Sequence, residues 1–131
     1  MCIDLIGVTT RLLHARMPDL ALVEDDRELL ARLGQPGVTL FQPAGWLRHA
    51  EPKLPGIPLA QDWTVTSDSI AGRLATSVRA DRLVLLKSAA SPSPSTDLVA
   101  LAAAGYIDTF LPRMAALLPP LELVDMSGAT W

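Results

Sequence analysis

Apolar residues recur along this chain in short bursts, and the spacing inside each burst predicts an element. Ile3, Leu5, Ile6, Val8, Leu12 and Leu13 can line one helix over 3–16, although Gly7 and Val8-Thr9-Thr10 weaken it. Met17-Pro18-Asp19 breaks that pattern, and Leu20-Ala21-Leu22-Val23 reads as a short buried strand. A helix follows: Asp25 can cap it, Glu28 stands three residues on, and Gly34 stops it. Leu29, Leu30 and Leu33 form its apolar face, with acids at the start and Arg32 at the end, as the helix dipole favours.

Val38-Thr39-Leu40-Phe41 predicts a second strand. Residues 42–62 hold Pro43, Pro52, Pro55 and Pro58, so this stretch reads as connection, with one helical turn at Gly45-Trp46-Leu47-Arg48. The best helix is expected over 66–80, capped by Thr66 or Ser67. Its core stripe is Ile70, Ala71, Leu74, Ala75 and Val78. Leu83-Val84-Leu85-Leu86 is a strand ending at Lys87 and Ser88, and the Ser/Pro-rich 88–95 is a loop. Thr96 is expected to cap a helix that Gly105 ends, and a last helix is expected over 108–118. Pro112 near its first turn is tolerated there. Leu121-Glu122-Leu123-Val124 closes the series as a strand. Strands alternating with helices predict an α/β fold, with a mostly parallel sheet between helical layers in a three-layer αβα arrangement.

At 131 residues the chain reads as one domain over 1–131, long enough to bury about two-thirds of its unfolded surface. Half the residues are hydrophobic and 19% are charged, a globular balance. The formal charge is −3 and the eleven basic residues are dispersed, which gives no support to nucleic-acid binding. No apolar run approaches the roughly 20 residues that span a bilayer, and no secretory signal is visible. A cytoplasmic protein is expected by default. The one cysteine, Cys2, has no partner for an internal disulfide and no activating neighbour in sequence. His14 and His49 lack ligand-like spacing, so no metal site is expected from the protein's own residues. The eight glycines form neither a Walker-type nor a dinucleotide fingerprint, and no nucleophile elbow occurs. Trp46 and Trp63 read as packing residues, either of which could flank a planar ligand.

Parallel sheets bind ligands at the carboxyl ends of their strands. Two places meet that rule. Asp62-Trp63-Thr64-Val65-Thr66-Ser67-Asp68-Ser69 opens the strongest helix, where free N–H groups favour anions. Asp68 there can orient a lysine or a substrate hydroxyl. The plainer reading is a helix cap with a dipole-matched acid, and such caps are common. The second place is Lys87-Ser88, a candidate phosphate contact. The plainer reading of Lys87 is a solvated residue at a strand end.

Trp63–Ala71 followed by Leu83–Ser88 resembles the aspartate/glutamate/uridylate kinase family, the amino acid kinases. That family has a Thr/Asn-x-Asp signature opening a helix, then an apolar strand leading to the nucleotide. Leu20–Glu24, Trp46-Leu47-Arg48 and Gly105-Tyr106-Ile107-Asp108 fall in the order seen in one subgroup. That subgroup is similar to kinases of small phosphorylated precursors in methanofuran and tetrahydromethanopterin biosynthesis. The resemblance extends over about residues 1–126. It implies that Asp68 organises the catalytic cations and that Thr64, Thr66 and Ser67 border the acceptor. Lys87 and Ser88 would lie against the nucleotide. The implied cofactors are ATP and Mg²⁺, and the implied reaction moves a γ-phosphoryl group to a small phosphate or carboxylate.

The chain departs from that pattern where the family holds the ATP phosphates. The expected strand, lysine and Gly-Gly-rich loop are absent from the sequence, which reads as starting inside the following helix, an N-terminally incomplete version of the fold. The 88–95 loop is Ser/Pro-rich where relatives carry Asp-Gly. Phosphoryl transfer rests on positioning and charge stabilisation, and each lost electrostatic contact costs about 3 kcal/mol, roughly a hundredfold in rate. The expectation is therefore a kinase-like chain with little activity alone, acting as a homodimer or with a partner that supplies the front part. The alternative is a non-catalytic descendant that binds a metabolite or a partner. A receiver-like domain using Glu24-Asp25-Asp26 is a third reading, but those residues are better explained as a helix start.

Overall fold

A computed structural model describes residues 3–129, which form an α/β structure with short parallel sheets. The chain divides into two compact units, one running through Pro58 and the other from Leu59 onward. Among the described residues, the four strands pair as two separate two-stranded sheets, one in each unit. No helix among the described residues is long and apolar enough to cross a membrane.

In the first unit, α1 (Ile3–Arg16) leads to β1 (Ala21–Val23), α2 (Asp26–Arg32), β2 (Thr39–Phe41) and α3 (Ala44–His49). Leu22 pairs in parallel with Leu40. Asp25 caps α2 as expected, its Oδ1 accepting from the Arg27 N–H at 2.8 Å and the Glu28 N–H at 3.2 Å. Gly7 is the buried residue of α1, and a Cβ there would stand 3.1 Å from Gln42 Nε2. The residue that weakens the helix locally thus lets it approach the chain after β2. Trp46 is buried, edge-on to Phe41 at 6.2 Å between ring centroids.

The second unit holds α4 (Ser67–Ser77), β3 (Leu83–Lys87), α5 (Leu98–Ala103), a 3₁₀ segment (Leu111–Leu117) and β4 (Leu121–Asp125). β3 and β4 run parallel from Leu83–Leu121 to Lys87–Asp125. Leu83 and Leu85 are buried while Val84 and Leu86 are exposed, so one face of the sheet meets the core. That core also includes Val65, Ile70, Leu101, Phe110, Leu111 and Met114. A Cβ on Gly72 would stand 2.8 Å from Leu111 Cδ1 and 3.0 Å from Leu118 Cδ2, so glycine permits the close packing of α4 on the 3₁₀ segment.

Several boundaries differ from expectation. α4 is shorter than 66–80, and beside Ile70 and Ala75 it buries Asp68, Ser69 and Arg73. Asp97, not Thr96, caps α5, its Oδ1 accepting from the Val99 and Ala100 N–H groups. The last helix begins at Leu111 rather than 108 and is 3₁₀. The Asp108 carboxylate accepts the Leu111 N–H at 2.9 Å, so position 108 lies outside the helix. Gly105 does end α5, with φ +72°, a conformation that glycine adopts without a Cβ penalty.

Candidate functional site

The site is built where α4 starts and β3 ends. Thr66 occupies the N-cap position of α4, but its side chain makes no capping bond, contrary to the expectation for Thr66 or Ser67. The orphan N–H groups of a helix start still need acceptors. They find one far along the chain. Asp108 Oδ2 accepts from the Thr66 N–H at 2.8 Å, the Thr66 hydroxyl at 3.0 Å and the Ser69 N–H at 2.9 Å. Its Oδ1 accepts from the Ser69 hydroxyl and the Leu111 N–H. One buried carboxylate therefore serves the starts of two helical segments.

Asp68, in the first turn of α4, is buried. It faces the end of β3, not bulk water. Lys87 Nζ donates to Asp68 Oδ1 at 3.0 Å and to Oδ2 at 2.8 Å, and the Asp108 N–H reaches Oδ2 at 3.2 Å. The two side chains are only 12% and 15% exposed. The reading of Lys87 as a solvated strand-end residue is therefore corrected: packing takes its ammonium into an ion pair. Nζ also lies 5.4 Å from the centroid of the Tyr106 ring, within range of a cation–π attraction. The Tyr106 hydroxyl in turn donates to the Ala89 carbonyl at 2.8 Å, which ties down the loop after β3.

The other expected site residues separate into two groups. Thr66 and Ser88 lie near the pair: Thr66 through Asp108, and Ser88 as the exposed residue that follows Lys87 and shares both its clefts. Thr64 and Ser67 are exposed. Thr64 spends its N–H and hydroxyl on Asp62 Oδ1, which holds the Asp62 carboxyl below its ordinary value. Trp63, at the middle of that turn, is 84% exposed, so it is not the packing residue the sequence suggested. Cys2 lies outside the described residues.

Two open clefts meet at Lys87. One, of ≈ 440 Å³, is lined by Leu86, Lys87, Ser88, Met126, Ser127 and Ala129, at the carboxyl ends of β3 and β4. The other, of ≈ 210 Å³, is lined by Lys87, Ser88, Ala89, Gly105 and Tyr106. This is the end of a parallel sheet where ligands are expected. Among the described residues, no group of three or more His, Cys, Asp and Glu side chains is placed to hold a metal ion. Both Asp68 oxygens accept from Lys87, and Asp108 accepts from five donors.

Sequence reasoning underestimated Asp108, Ser69, Tyr106 and Met126. An Asp three residues before Leu111, at the head of a Pro112-containing segment, is a visible cap signal for that segment. Nothing local indicates that the same acid also reaches α4. Comparisons with protein-family models, with characterised proteins and with solved structures find no match to this chain.

Proposed function

We propose that the unit from Leu59 onward binds a small phosphate or carboxylate at the carboxyl end of β3. In this reading it is an amino-acid-kinase-like site, part of a three-layer αβα plan, associated with ATP-dependent phosphoryl transfer. The observation that carries the proposal is the Asp68–Lys87 pair beside the open cleft that Tyr106 also lines. An ammonium has three N–H groups. Asp68 takes two of them and fixes Nζ, which leaves one donor for a ligand oxygen. Ser88 follows Lys87 and lines the same cleft. Asp68 is thus a positioning residue that organises a cation, the role the sequence resemblance implies for it. A fixed cation facing a phosphoryl or carboxyl oxygen stabilises charge without reorganising.

A second reading is a binding module without turnover. It is favoured by the protein donors that both carboxylates already serve: five on Asp108, and the Lys87 ammonium with the Asp108 N–H on Asp68. Calorimetry with MgATP, ADP, inorganic phosphate and acetyl phosphate separates these readings, together with a coupled assay for ADP release. Turnover that is lost in Lys87→Met supports the kinase reading. Binding without turnover supports the second. If none of these ligands binds, or if binding is unchanged in Lys87→Met, the site is assigned wrongly.

A further inference from the structure

The helix α1 carries two apolar faces, and its own unit uses one of them. Gly7 lies on the inner face, against the chain after β2, where a Cβ would stand 3.1 Å from Gln42 Nε2. Ile3, Ile6, Thr10 and His14 share that side and are half-buried. The outer face bears Leu5, Val8 and Leu12, which are 61%, 52% and 64% exposed. Their spacing of three and four residues sets them in one stripe, which Ala15 continues. The Thr9 hydroxyl beside the stripe donates to the Leu5 carbonyl of its own helix at 2.9 Å, so it adds little polarity to that face. A helix that is apolar on both sides is normally covered on both sides.

The charges beside the stripe indicate what covers it. Asp4 and Arg11 stand seven residues apart, so they lie along the same flank. In a parallel pair of α1 helices, acid would meet acid, guanidinium would meet guanidinium, and the helix dipoles would align. In an antiparallel pair each Asp4 meets the other helix's Arg11, Leu5 meets Leu12, Val8 lies near the centre and the dipoles oppose. The face is thus self-complementary in shape and charge, as a two-fold interface requires. Both charged groups have atoms to spare. Arg11 uses one Nη2 on Glu24 Oε1 at 3.2 Å, and Asp4 uses Oδ1 on Arg48, both in exposed pairs of the kind that contributes little to stability. We propose that α1 docks a second copy of this chain, helix against helix and antiparallel, about a two-fold axis near Val8. This stands apart from the anion-binding reading above. The helix has 14 residues and is about 21 Å long, a smaller contact than a standard interface, so the dimer should dissociate at about tens of micromolar.

The test is sedimentation velocity of the full chain from about 1 to about 500 µM, which brackets that affinity. A monomer at the low end and a dimer at the high end are expected. Leu5→Ser combined with Leu12→Ser should weaken association roughly tenfold or more, with helix content by circular dichroism unchanged. Val99→Ser, at a residue 69% exposed on α5, should leave association as it was. Asp4→Arg and Arg11→Asp should each be monomeric alone. Their equimolar mixture should recover a dimer, because one chain then offers two guanidinium groups to the two carboxylates of the other. A chain that stays monomeric over the whole range overturns the proposal, as does a dimer unmoved by the paired serine substitutions. A dimer that those substitutions abolish, but that the mixture fails to restore, overturns the antiparallel arrangement. A monomer that binds phosphatidylglycerol vesicles only while Leu5 and Leu12 are intact overturns the second copy and assigns the stripe to a lipid surface.

Discussion

Each unit of this protein pairs two parallel strands and packs a helix against them, and the two helix starts are finished in opposite ways. After β1, the helix α2 is capped by Asp25, two and three residues from the N–H groups it accepts. α4, packed against β3, has no cap of its own and borrows Asp108, 39 to 42 residues away. The first arrangement needs only local chain geometry. The second forms only when Ile107, Phe110 and Leu111 are buried in the core and carry Asp108 to α4. The borrowed cap leaves Asp68 free to face Lys87. In the first unit Asp25, two residues after β1, is spent on the helix start itself.

The comparison makes Asp108 the most damaging residue to remove. Asp108→Ala orphans up to five donors, several of them buried. It should cost about 3–5 kcal/mol in urea unfolding, since each unsatisfied buried group costs roughly 1–3 kcal/mol and some regain water. A loss under about 1 kcal/mol would mean that α4 does not depend on it. Lys87→Met comes next: it leaves Asp68 buried without its cation and should cost about 2–3 kcal/mol. Adding Asp68→Asn should restore most of that loss, because a neutral pair carries no stranded charge. A double variant as unstable as the sum of the singles would break this account.

The local caps should matter less. Asp25→Ala and Asp97→Ala should each cost about 1 kcal/mol, and Thr96→Ala close to nothing. Thermal melts of the three variants would show the order. The smallest effects lie in acid. Asp62 and Asp125 are both held below the ordinary carboxyl value of 3.8, the first mainly by the Thr64 hydroxyl and the second mainly by the Ser127 hydroxyl. A lowered folded value means that their contribution is complete above 3.8 and is lost as pH falls through the folded value beneath it. Carboxyl carbon shifts followed by NMR should titrate below 3.8 for both, and Thr64→Ala should return Asp62 towards the ordinary value. A midpoint of Asp62 unmoved by Thr64→Ala would remove the turn as its cause.

The same contrast explains what could be read in advance. β1, α2, β2 and β3 were legible within a few residues because apolar runs and an Asp-x-x-Glu start carry their own signals. The sequence predicts a last helix from 108, whereas Asp108 stands outside it, accepting the Leu111 N–H as well as the α4 donors, and the segment that follows is 3₁₀. Asp68 and Lys87 were each visible as candidates, yet Lys87 read alone was a solvated lysine.

Composition, periodicity and turn residues were enough to determine an α/β chain and the order of its main elements. Those properties are set by neighbours a few residues apart. Tertiary structure decided that the strands pair as two separate sheets, that one distant carboxylate caps α4, and that Asp68 meets Lys87. A buried carboxylate must find donors wherever packing brings them, and sequence distance places no limit on that search.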